Sequence, residues 1–132
     1  MLRTGILNQD ILNALGSLGH TQTIVISDAG LPIPLEVDRI DLTVVKGIPS
    51  LMSVLEPVFN QVCVEKVYMS EDVQKANPAV LAQVRKLIGD IPIEFMSHMD
   101  FKEKTHTSNA IIRTGECTPF ANVMLQITVD FS

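Results

Sequence analysis

The chain has 132 residues, of which 46% are hydrophobic and 19% are charged, and its formal net charge is -5. An acidic balance without a Lys/Arg cluster argues against a nucleic acid or an anionic membrane as partner, because both bind through a positive surface. The apolar content is high and the charged content is low, so we expect other copies of the chain to cover part of the surface. A neutral small molecule is the ligand class that fits best.

Cysteine usage and the apolar runs indicate a cytoplasmic protein. Cys63 and Cys117 have neither a metal-ligand spacing nor a pairing pattern, so free thiols are expected. The first residues lack the apolar run of a secretory signal. The longest apolar runs fall short of the roughly 20 residues that a membrane span requires.

The beginning of the chain predicts a helix followed by a buried strand. Asn8 can cap a helix that Gly19 ends, which leaves His20 in a loop. The β-branched residues at 24–26 predict a buried strand over residues 24–27, which an Asp-Ala-Gly loop follows. Histidine and aspartate then stand at opposite ends of one strand, too far apart to touch if the chain between them is extended. Either residues 21–23 fold back, or a neighbouring subunit completes a site.

Strands and helices alternate along the rest of the chain. Residues 39–44 alternate polar and apolar and predict a strand with one exposed face. A helix follows Ser50, and Pro57 is expected to kink or shorten it. Asn77, with proline at the next position, predicts a second clear helix that Gly89 ends. Further strands are predicted at residues 62–69, 91–96, 109–113 and 123–129, with a short helical turn at residues 100–104.

This alternation indicates one three-layer α/β/α domain over residues 1–132, with a mostly parallel, mixed six-stranded sheet. Such sheets bind ligands at the carboxyl ends of their strands. Four titratable side chains follow predicted strands and are expected at that edge: Asp28, Glu71, His98 and Glu116.

Several catalytic motifs are absent from the sequence. There is no dinucleotide turn, no Walker-type phosphate loop and no Cys-x-x-Cys pair. The histidines His20, His98 and His106 are too scattered for a local zinc motif, although a site shared between chains stays open. We therefore expect no metal and no cofactor, and we expect His106 to be a solvated loop residue.

The candidate residues each have a chemical and a structural interpretation. His20 can be a general acid/base, because imidazole changes charge near neutral pH, or a residue stabilised by the preceding helix dipole. Asp28 can bind hydroxyls or orient the histidine, or simply form an Asx turn. His98 can contact a ligand or cap an element. Asn122 can recognise a hydroxyl or form a turn, whereas Phe120 is a core residue by type.

Seven motifs together resemble the ribose pyranase and fucose mutarotase family of sugar mutarotases. They are Gly-Ile-Leu-Asn at 5–8, Leu-Gly-His at 18–20, Asp-Ala-Gly-Leu-Pro-Ile-Pro at 28–34, Arg-Ile-Asp-Leu at 39–42, Gly-Ile-Pro at 47–49, Ile-Arg-Thr-Gly-Glu at 112–116 and Thr-Pro-Phe-Ala-Asn at 118–122. The resemblance covers essentially the whole chain. The motif at 28–34 and the Thr-Pro before residue 120 resemble the ribose branch more than the fucose branch.

The resemblance implies a cytoplasmic isomerase with a single sugar-mutarotase domain, which interconverts the β-pyranose and β-furanose forms of D-ribose by acid/base ring opening and closure. It also implies a homodecamer of two stacked pentameric rings. The residue matching His20 is the family's proton donor, and the sugar-binding positions match Asp28, His98, Phe120, Ala121 and Asn122. His98 and the 120–122 segment then lie near a subunit boundary. A mutarotase for another sugar such as L-fucose, or a non-catalytic sugar-binding subunit, stays an alternative.

One residue departs from the family pattern. The family usually has tyrosine at the position of Phe120, so a phenolic hydroxyl that can donate to the sugar is missing here. If the missing hydrogen bond went to an uncharged hydroxyl, the deficit is about 0.5–1.5 kcal/mol. That deficit predicts slower turnover rather than inactivity.

Overall fold

The computed structural model describes residues 1–131 and contains one six-stranded sheet with helices on both faces. The strands are β1 (Thr23–Ser27), β2 (Asp38–Asp41), β3 (Val64–Ser70), β4 (Ile93–Met96), β5 (Ala110–Arg113) and β6 (Val123–Ile127). The helices are α1 (Gln9–Gly16), α2 (Leu51–Phe59), α3 (Val73–Ala76), α4 (Pro78–Ile88) and α5 (His98–Lys104), with a 3₁₀ helix at Thr105–Thr107. The predicted three-layer fold with a mostly parallel, mixed sheet is confirmed. Residue 132, the end of the predicted domain, lies outside the described residues.

The sheet has the strand order β2-β5-β1-β6-β3-β4. β6 is antiparallel to both of its neighbours, whereas the other pairings are parallel. Because β6 runs the opposite way, it begins at the edge where the other five strands end. Residues that precede β6 therefore share an edge with residues that follow β1 and β4, and this edge holds the candidate site.

Two apolar cores lie on opposite faces of the sheet. The larger core packs α1, α2 and α4 against the sheet, and its fully buried side chains include Ile24, Ile26, Leu51, Leu55, Val84 and Leu125. The smaller core packs Phe101 of α5 against Val25, Ile111 and Met124. β1 is buried along its whole length because it faces both cores, which explains its uninterrupted apolar run.

Helix boundaries follow from capping side chains. Four helices begin at a side chain that accepts a backbone N–H three residues further on: Asn8 from Ile11 at 3.0 Å, Ser50 from Ser53 at 3.2 Å, Asn77 from Val80 at 3.4 Å and Ser97 from Asp100 at 3.0 Å. Gly89 ends α4 with a φ of 63°, a conformation that glycine adopts without a steric penalty. The predicted caps Asn8, Asn77 and Gly89 are confirmed.

The end of α1 and the effect of Pro57 on α2 differ from the prediction for identifiable reasons. α1 ends at Gly16 instead of continuing to Gly19, because the amides of Ser17 and Leu18 bond to carbonyls three residues back and tighten the last turn. α2 includes Pro57 and continues to Phe59, because buried side chains on both sides of the proline pack against the sheet. Pro57 therefore does not shorten the helix.

Two further differences lie outside those helices. β2 ends at Asp41, because residues 42–49 form a loop that the Val44 amide closes by donating to the Ile48 carbonyl at 3.0 Å. The single-turn helix α3 was not predicted, since four residues are too few to show a helical period. Within residues 1–131, no helix has the length and apolar composition needed to cross a membrane.

Candidate active site

Asp28 follows β1 and is held by reciprocal hydrogen bonds. The amides of Gly30 and Leu31 donate to its Oδ1 at 3.0 and 2.9 Å, and Asn122 Nδ2 donates to its Oδ2 at 3.2 Å. In return, the Asp28 amide donates to Asn122 Oδ1 at 2.8 Å. The Asx turn considered for Asp28 is therefore present, and it fixes the direction of the carboxylate.

Electrostatics at Asp28 are governed by partial burial. Removal of the carboxylate from water raises its pKa above the ordinary value, and this outweighs the donors Gly30, Leu31 and Asn122 and the charge of His98, all of which lower it. The site thus holds a carboxyl group that binds its proton more tightly than a solvated aspartate does.

His98 is the first residue of α5, so it belongs to a helix and not to a loop after β4. Its ring meets Phe120 edge to face, with centroids 5.0 Å apart and an interplanar angle of 84°. Its Nδ1 is buried and has no hydrogen-bond partner within residues 1–131. A buried imidazole nitrogen without a partner is a position at which a ligand can complete a hydrogen bond.

Phe120 has an unusual backbone conformation. Among non-glycine residues in the described chain, only Thr21 and Phe120 have a positive φ, at 72° and 55°. Such a conformation costs on the order of 1–3 kcal/mol and persists only where the surroundings enforce it. Phe120 is partly buried: it packs against the larger core, as its residue type indicated, and it also lines an open cavity at this edge of the sheet.

A network of side chains holds the loop that carries Phe120. Asn77 Nδ2 donates to Thr118 Oγ1 and to the Pro119 carbonyl, both at 2.9 Å. Thr118 Oγ1 donates to Glu116 Oε2 at 2.8 Å, and Glu116 Oε1 accepts from the Leu51 amide at 2.9 Å. The first turns of α2 and α4 therefore brace this loop.

One open cavity collects these side chains at the carboxyl edge of the sheet. Its volume is about 270 Å³, and its lining residues are Asp28, Gly30, Leu31, His98, Pro119, Phe120 and Asn122. Ala121, also predicted to bind the sugar, is fully buried and is not among the lining residues. A larger groove of about 450 Å³ between α2 and α4 has no histidine and no aspartate in its lining. We therefore take the smaller cavity as the candidate site.

His20 lies at the other end of β1. Its turn is closed by the Gln22 amide, which donates to the Gly19 carbonyl at 3.2 Å, and by the Gly19 amide, which donates to Gln22 Oε1 at 2.7 Å. His20 Nε2 is 3.6 Å from Glu65 Oε2 at the beginning of β3. Since β1 is extended, the chain does not fold back to bring His20 to the cavity.

Other residues considered from the sequence lie outside the cavity. Glu71 is exposed, and its amide donates to the Met96 carbonyl at 2.7 Å. His106 is exposed, as expected, but it sits in the 3₁₀ helix, where its Nδ1 pairs with Glu36. Within residues 1–131, no group of three or more His, Cys, Asp or Glu side chains could hold a metal ion.

Two structural contributors were missed from the sequence, namely Asn77 and Glu65. The Asn-Pro pair at 77–78 indicated a helix cap, but nothing local indicated that the same amide reaches residues 118 and 119. Glu65 is a single acidic residue in a strand, and such residues are common on exposed strand faces.

A doubly flanked α/β sheet with a carboxylate, an imidazole, an amide and an aromatic ring around one open cavity defines a small-ligand site suited to hydroxyl groups. No redox or nucleotide motif accompanies it in the sequence. The chain belongs to the RbsD / FucU transport protein family, whose model matches residues 1–130.

Similar proteins include two named D-ribose pyranase. The one from Geobacillus thermodenitrificans is 48% identical over 132 residues, and the alignment covers 100% of this chain and 100% of the relative. The one from Haemophilus influenzae strain Rd is 45% identical over 139 residues, covering 99% of this chain and 100% of the relative.

Solved structures give the same likeness. Bacillus subtilis RbsD complexed with D-ribose superimposes with a TM-score of 0.96 at 40% identity, covering 99% of this chain and 100% of that one. The fucose mutarotase of Streptococcus pneumoniae in complex with L-fucose has a TM-score of 0.84 at 22% identity, covering 98% and 99%. The second likeness concerns the fold alone.

Proposed function

We propose that this chain is a D-ribose pyranase, an isomerase that interconverts the β-pyranose and β-furanose forms of D-ribose within one sugar-mutarotase domain. The observation that carries the proposal is the convergence of Asp28, His98 and Asn122 on one open cavity. Support comes from proteins named D-ribose pyranase, which are 45% and 48% identical to it over essentially its full length. Carboxylate, imidazole and amide groups together donate to and accept from sugar hydroxyls.

The chemistry requires only proton transfers. Opening the pyranose breaks the bond between C1 and the ring oxygen O5, while O5 gains a proton and the C1 hydroxyl loses one to give the open-chain aldehyde. Closure through the C4 hydroxyl forms the C1–O4 bond, O4 loses its proton and the C1 oxygen regains one. A positioned acid or base accelerates such steps by about 10²–10⁴-fold. The proposal therefore includes no cofactor.

The roles proposed for Asp28 and His98 follow the geometry of the cavity. Asp28 Oδ1 accepts hydrogen bonds from two backbone amides, whereas Oδ2 accepts one from the Asn122 side chain. Oδ2 therefore retains capacity to accept a hydrogen bond from a sugar hydroxyl. The unpartnered Nδ1 of His98 is a second contact for a hydroxyl. The proton donor in this proposal is His20, and the sugar-binding residues are Asp28, His98, Phe120, Ala121 and Asn122.

We infer that His20 reaches the cavity from a neighbouring copy in a ring-shaped homo-oligomer, for which the proposed assembly is a decamer of two stacked pentamers. One support is the extended strand between His20 and Asp28. A second is exposed apolar surface that a neighbour would cover, since more than half of the surface is exposed at Leu35, Val44, Ile48 and Met99.

The proposal places the enzyme in the cytoplasm with a neutral sugar as its ligand. Cys63 and Cys117 are free thiols, which agrees with a reducing compartment. The net charge of -5 does not favour a nucleic acid or an anionic membrane as partner.

Saturation-transfer NMR on D-ribose tests the proposal. Saturating a pyranose anomeric signal in the presence of catalytic amounts of protein should attenuate the furanose signals, and L-fucose under the same conditions should show less enhancement. Calorimetric ribose binding without faster exchange would favour a non-catalytic sugar-binding subunit and contradict the proposal. Greater enhancement for L-fucose would contradict the substrate assignment.

A further inference from the structure

A row of hydrogen-bonded side chains across β3 and β6 ends at His20. Tyr68 Oη donates to Gln126 Oε1 at 2.7 Å, and Gln126 Nε2 donates to Glu65 Oε1 at 2.8 Å. The other oxygen of Glu65, Oε2, is 3.6 Å from His20 Nε2. None of these four residues lines the cavity beside Asp28. The row therefore needs an explanation other than direct contact with a ligand in that cavity.

The backbone contributes to the direction of Glu65. The pairing of β3 with β6 is irregular between Val64 and Lys66, and Lys66 is the backbone partner of Gln126. The side-chain amide of Gln126 nevertheless donates to Glu65 and not to Lys66. Irregularities of this kind redirect a side chain and are common beside active sites.

The orientation of Gln126 is determined by its two partners. Because the side-chain oxygen of Gln126 accepts a hydrogen bond from Tyr68, its NH₂ group faces Glu65. An ionised carboxylate accepts the hydrogen bond that this NH₂ group donates. Donation from Gln126, together with nearby His20 and Thr128, holds the pKa of Glu65 below its ordinary value although burial opposes this. The row therefore presents a fixed negative charge to the imidazole.

The charged neighbours of the row are occupied by other partners. Lys66 Nζ bonds to Glu94 Oε1 at 2.7 Å and lies 5.0 Å from the centroid of the Tyr68 ring. Lys104 Nζ lies 4.5 Å from the same centroid, on the tyrosine end of the row. Glu65 is thus left facing the histidine.

The backbone next to His20 is also held in place. Thr21 has a φ of 72°, which a β-branched residue rarely adopts, and its amide donates to the Ile127 carbonyl of β6 at 2.8 Å. The turn that carries His20 and the row that ends at it are therefore anchored on the same strand.

We propose that Glu65, held by Gln126 and Tyr68, is a positioning residue for His20 in the proton transfer of the proposed ring-exchange reaction. This inference rests on the proposed function, in which His20 is the proton donor. Glu65 stabilises the protonated imidazole and turns Nε2 toward itself, so that Nδ1 is the nitrogen directed away from it and toward the sugar of the neighbouring site. A carboxylate beside an imidazole has both effects.

Glu65→Gln in the full-length chain tests the inference, because it keeps the shape and removes the charge. We expect the catalysed ribose exchange rate at saturating sugar to fall about 10- to 100-fold, as is typical when a carboxylate that orients a histidine is removed. Calorimetric ribose affinity should change less than about twofold, since the Asp28 cavity is untouched. The alkaline decline of the exchange rate should move to lower pH, and Glu65→Asp should restore part of the rate.

Glu36→Gln is the matched control, because Glu36 is a second carboxylate paired with a histidine, His106, away from the cavity. It should leave the rate and its pH profile unchanged. Gln126→Leu releases Glu65 without removing its charge and should lower the rate in the same direction. This second variant tests the inference even if Glu65→Gln fails to fold, which thermal melting would show.

The outcomes separate the inference from the proposed function. If wild type accelerates exchange, His20→Ala does not, and Glu65→Gln matches wild type in rate and pH profile, the inference is overturned and the proposed function stands. If wild type itself does not accelerate exchange, the proposed function fails. A lower affinity with an unchanged rate at saturation in Glu65→Gln would also overturn the positioning role.

Discussion

Replacing Asn122 with alanine removes both hydrogen bonds between residue 122 and Asp28. One is the bond from the Asp28 amide at 2.8 Å, and the other is the bond to its carboxylate at 3.2 Å. Asn122 is only 1% exposed, so water has little access to the groups left behind. The substitution therefore tests whether this reciprocal pair holds the site together.

The expected loss follows from the two bonds. Leaving a buried amide without a partner costs about 1–3 kcal/mol, and a bond to a charged group contributes about 1.5–3 kcal/mol. Because the two terms overlap, we expect the free energy of unfolding to fall by about 2–4 kcal/mol, which a domain of ordinary stability survives. The pKa of Asp28 should rise further, since Asn122 is one of the donors that lower it.

Urea unfolding followed by circular dichroism measures the first effect, and carbon-13 NMR of the labelled Asp28 carboxyl measures the second. All variants are compared at one protein concentration, because association contributes to apparent stability. Asn13→Ala, at an exposed position of α1, is the matched control. A loss below about 0.5 kcal/mol, the usual range for surface substitutions, would refute the reasoning.

Three further substitutions test other parts of the site and its support. Phe120→Tyr should raise the catalysed exchange rate by about 2- to 10-fold if the hydroxyl reaches the sugar, and an unchanged rate in the NMR assay would argue against that contact. Gly115→Ala should lower the melting temperature, because a Cβ there would lie 2.6 and 2.7 Å from the carbonyl carbon and amide nitrogen of Ile48. Gly16→Ala is the control and should leave the melting temperature unchanged, because a Cβ there would have no neighbour within 4 Å. Asp28→Asn tests the raised pKa of Asp28. A carboxyl group whose pKa is raised in the folded state stabilises the fold at low pH, and this stabilisation is lost as pH rises through that pKa. The stability of Asp28→Asn relative to wild type should therefore increase as pH rises above 3.8, the ordinary pKa of an aspartate, and thermal melts showing the opposite trend would contradict the burial argument.

Local chemistry made much of the fold predictable. Asn8, Asn77 and Gly89 act on backbone groups within a few residues, so the ends of α4 and the start of α1 could be read directly from the sequence. The continuous apolar run of β1 likewise follows from burial on both faces. The end of α1 was missed because carbonyls can be satisfied by tighter three-residue turns without any distinctive residue.

The direction of β6 and the contacts of the site depend on tertiary structure. An apolar strand has the same pattern whether it runs parallel or antiparallel, yet this direction brings Asn122 beside Asp28, 94 positions away. Motifs at 28–34 and 118–122 marked the correct loops from the sequence. The bracing of residue 118 by Asn77 and the alignment of Glu65 with His20 required the sheet order, which local patterns do not contain.

Mixing two inactive variants tests most directly the claim that one site needs His20 from one copy and Asp28 from another. We expect His20→Ala and Asp28→Asn each to lose ribose exchange. Unfolding and refolding them together in equal amounts should restore about a quarter of the wild-type rate, because random assembly around a ring pairs the two intact residues at about a quarter of the boundaries. An inactive mixture that assembles normally would contradict the shared site, and so would full exchange activity in His20→Ala alone.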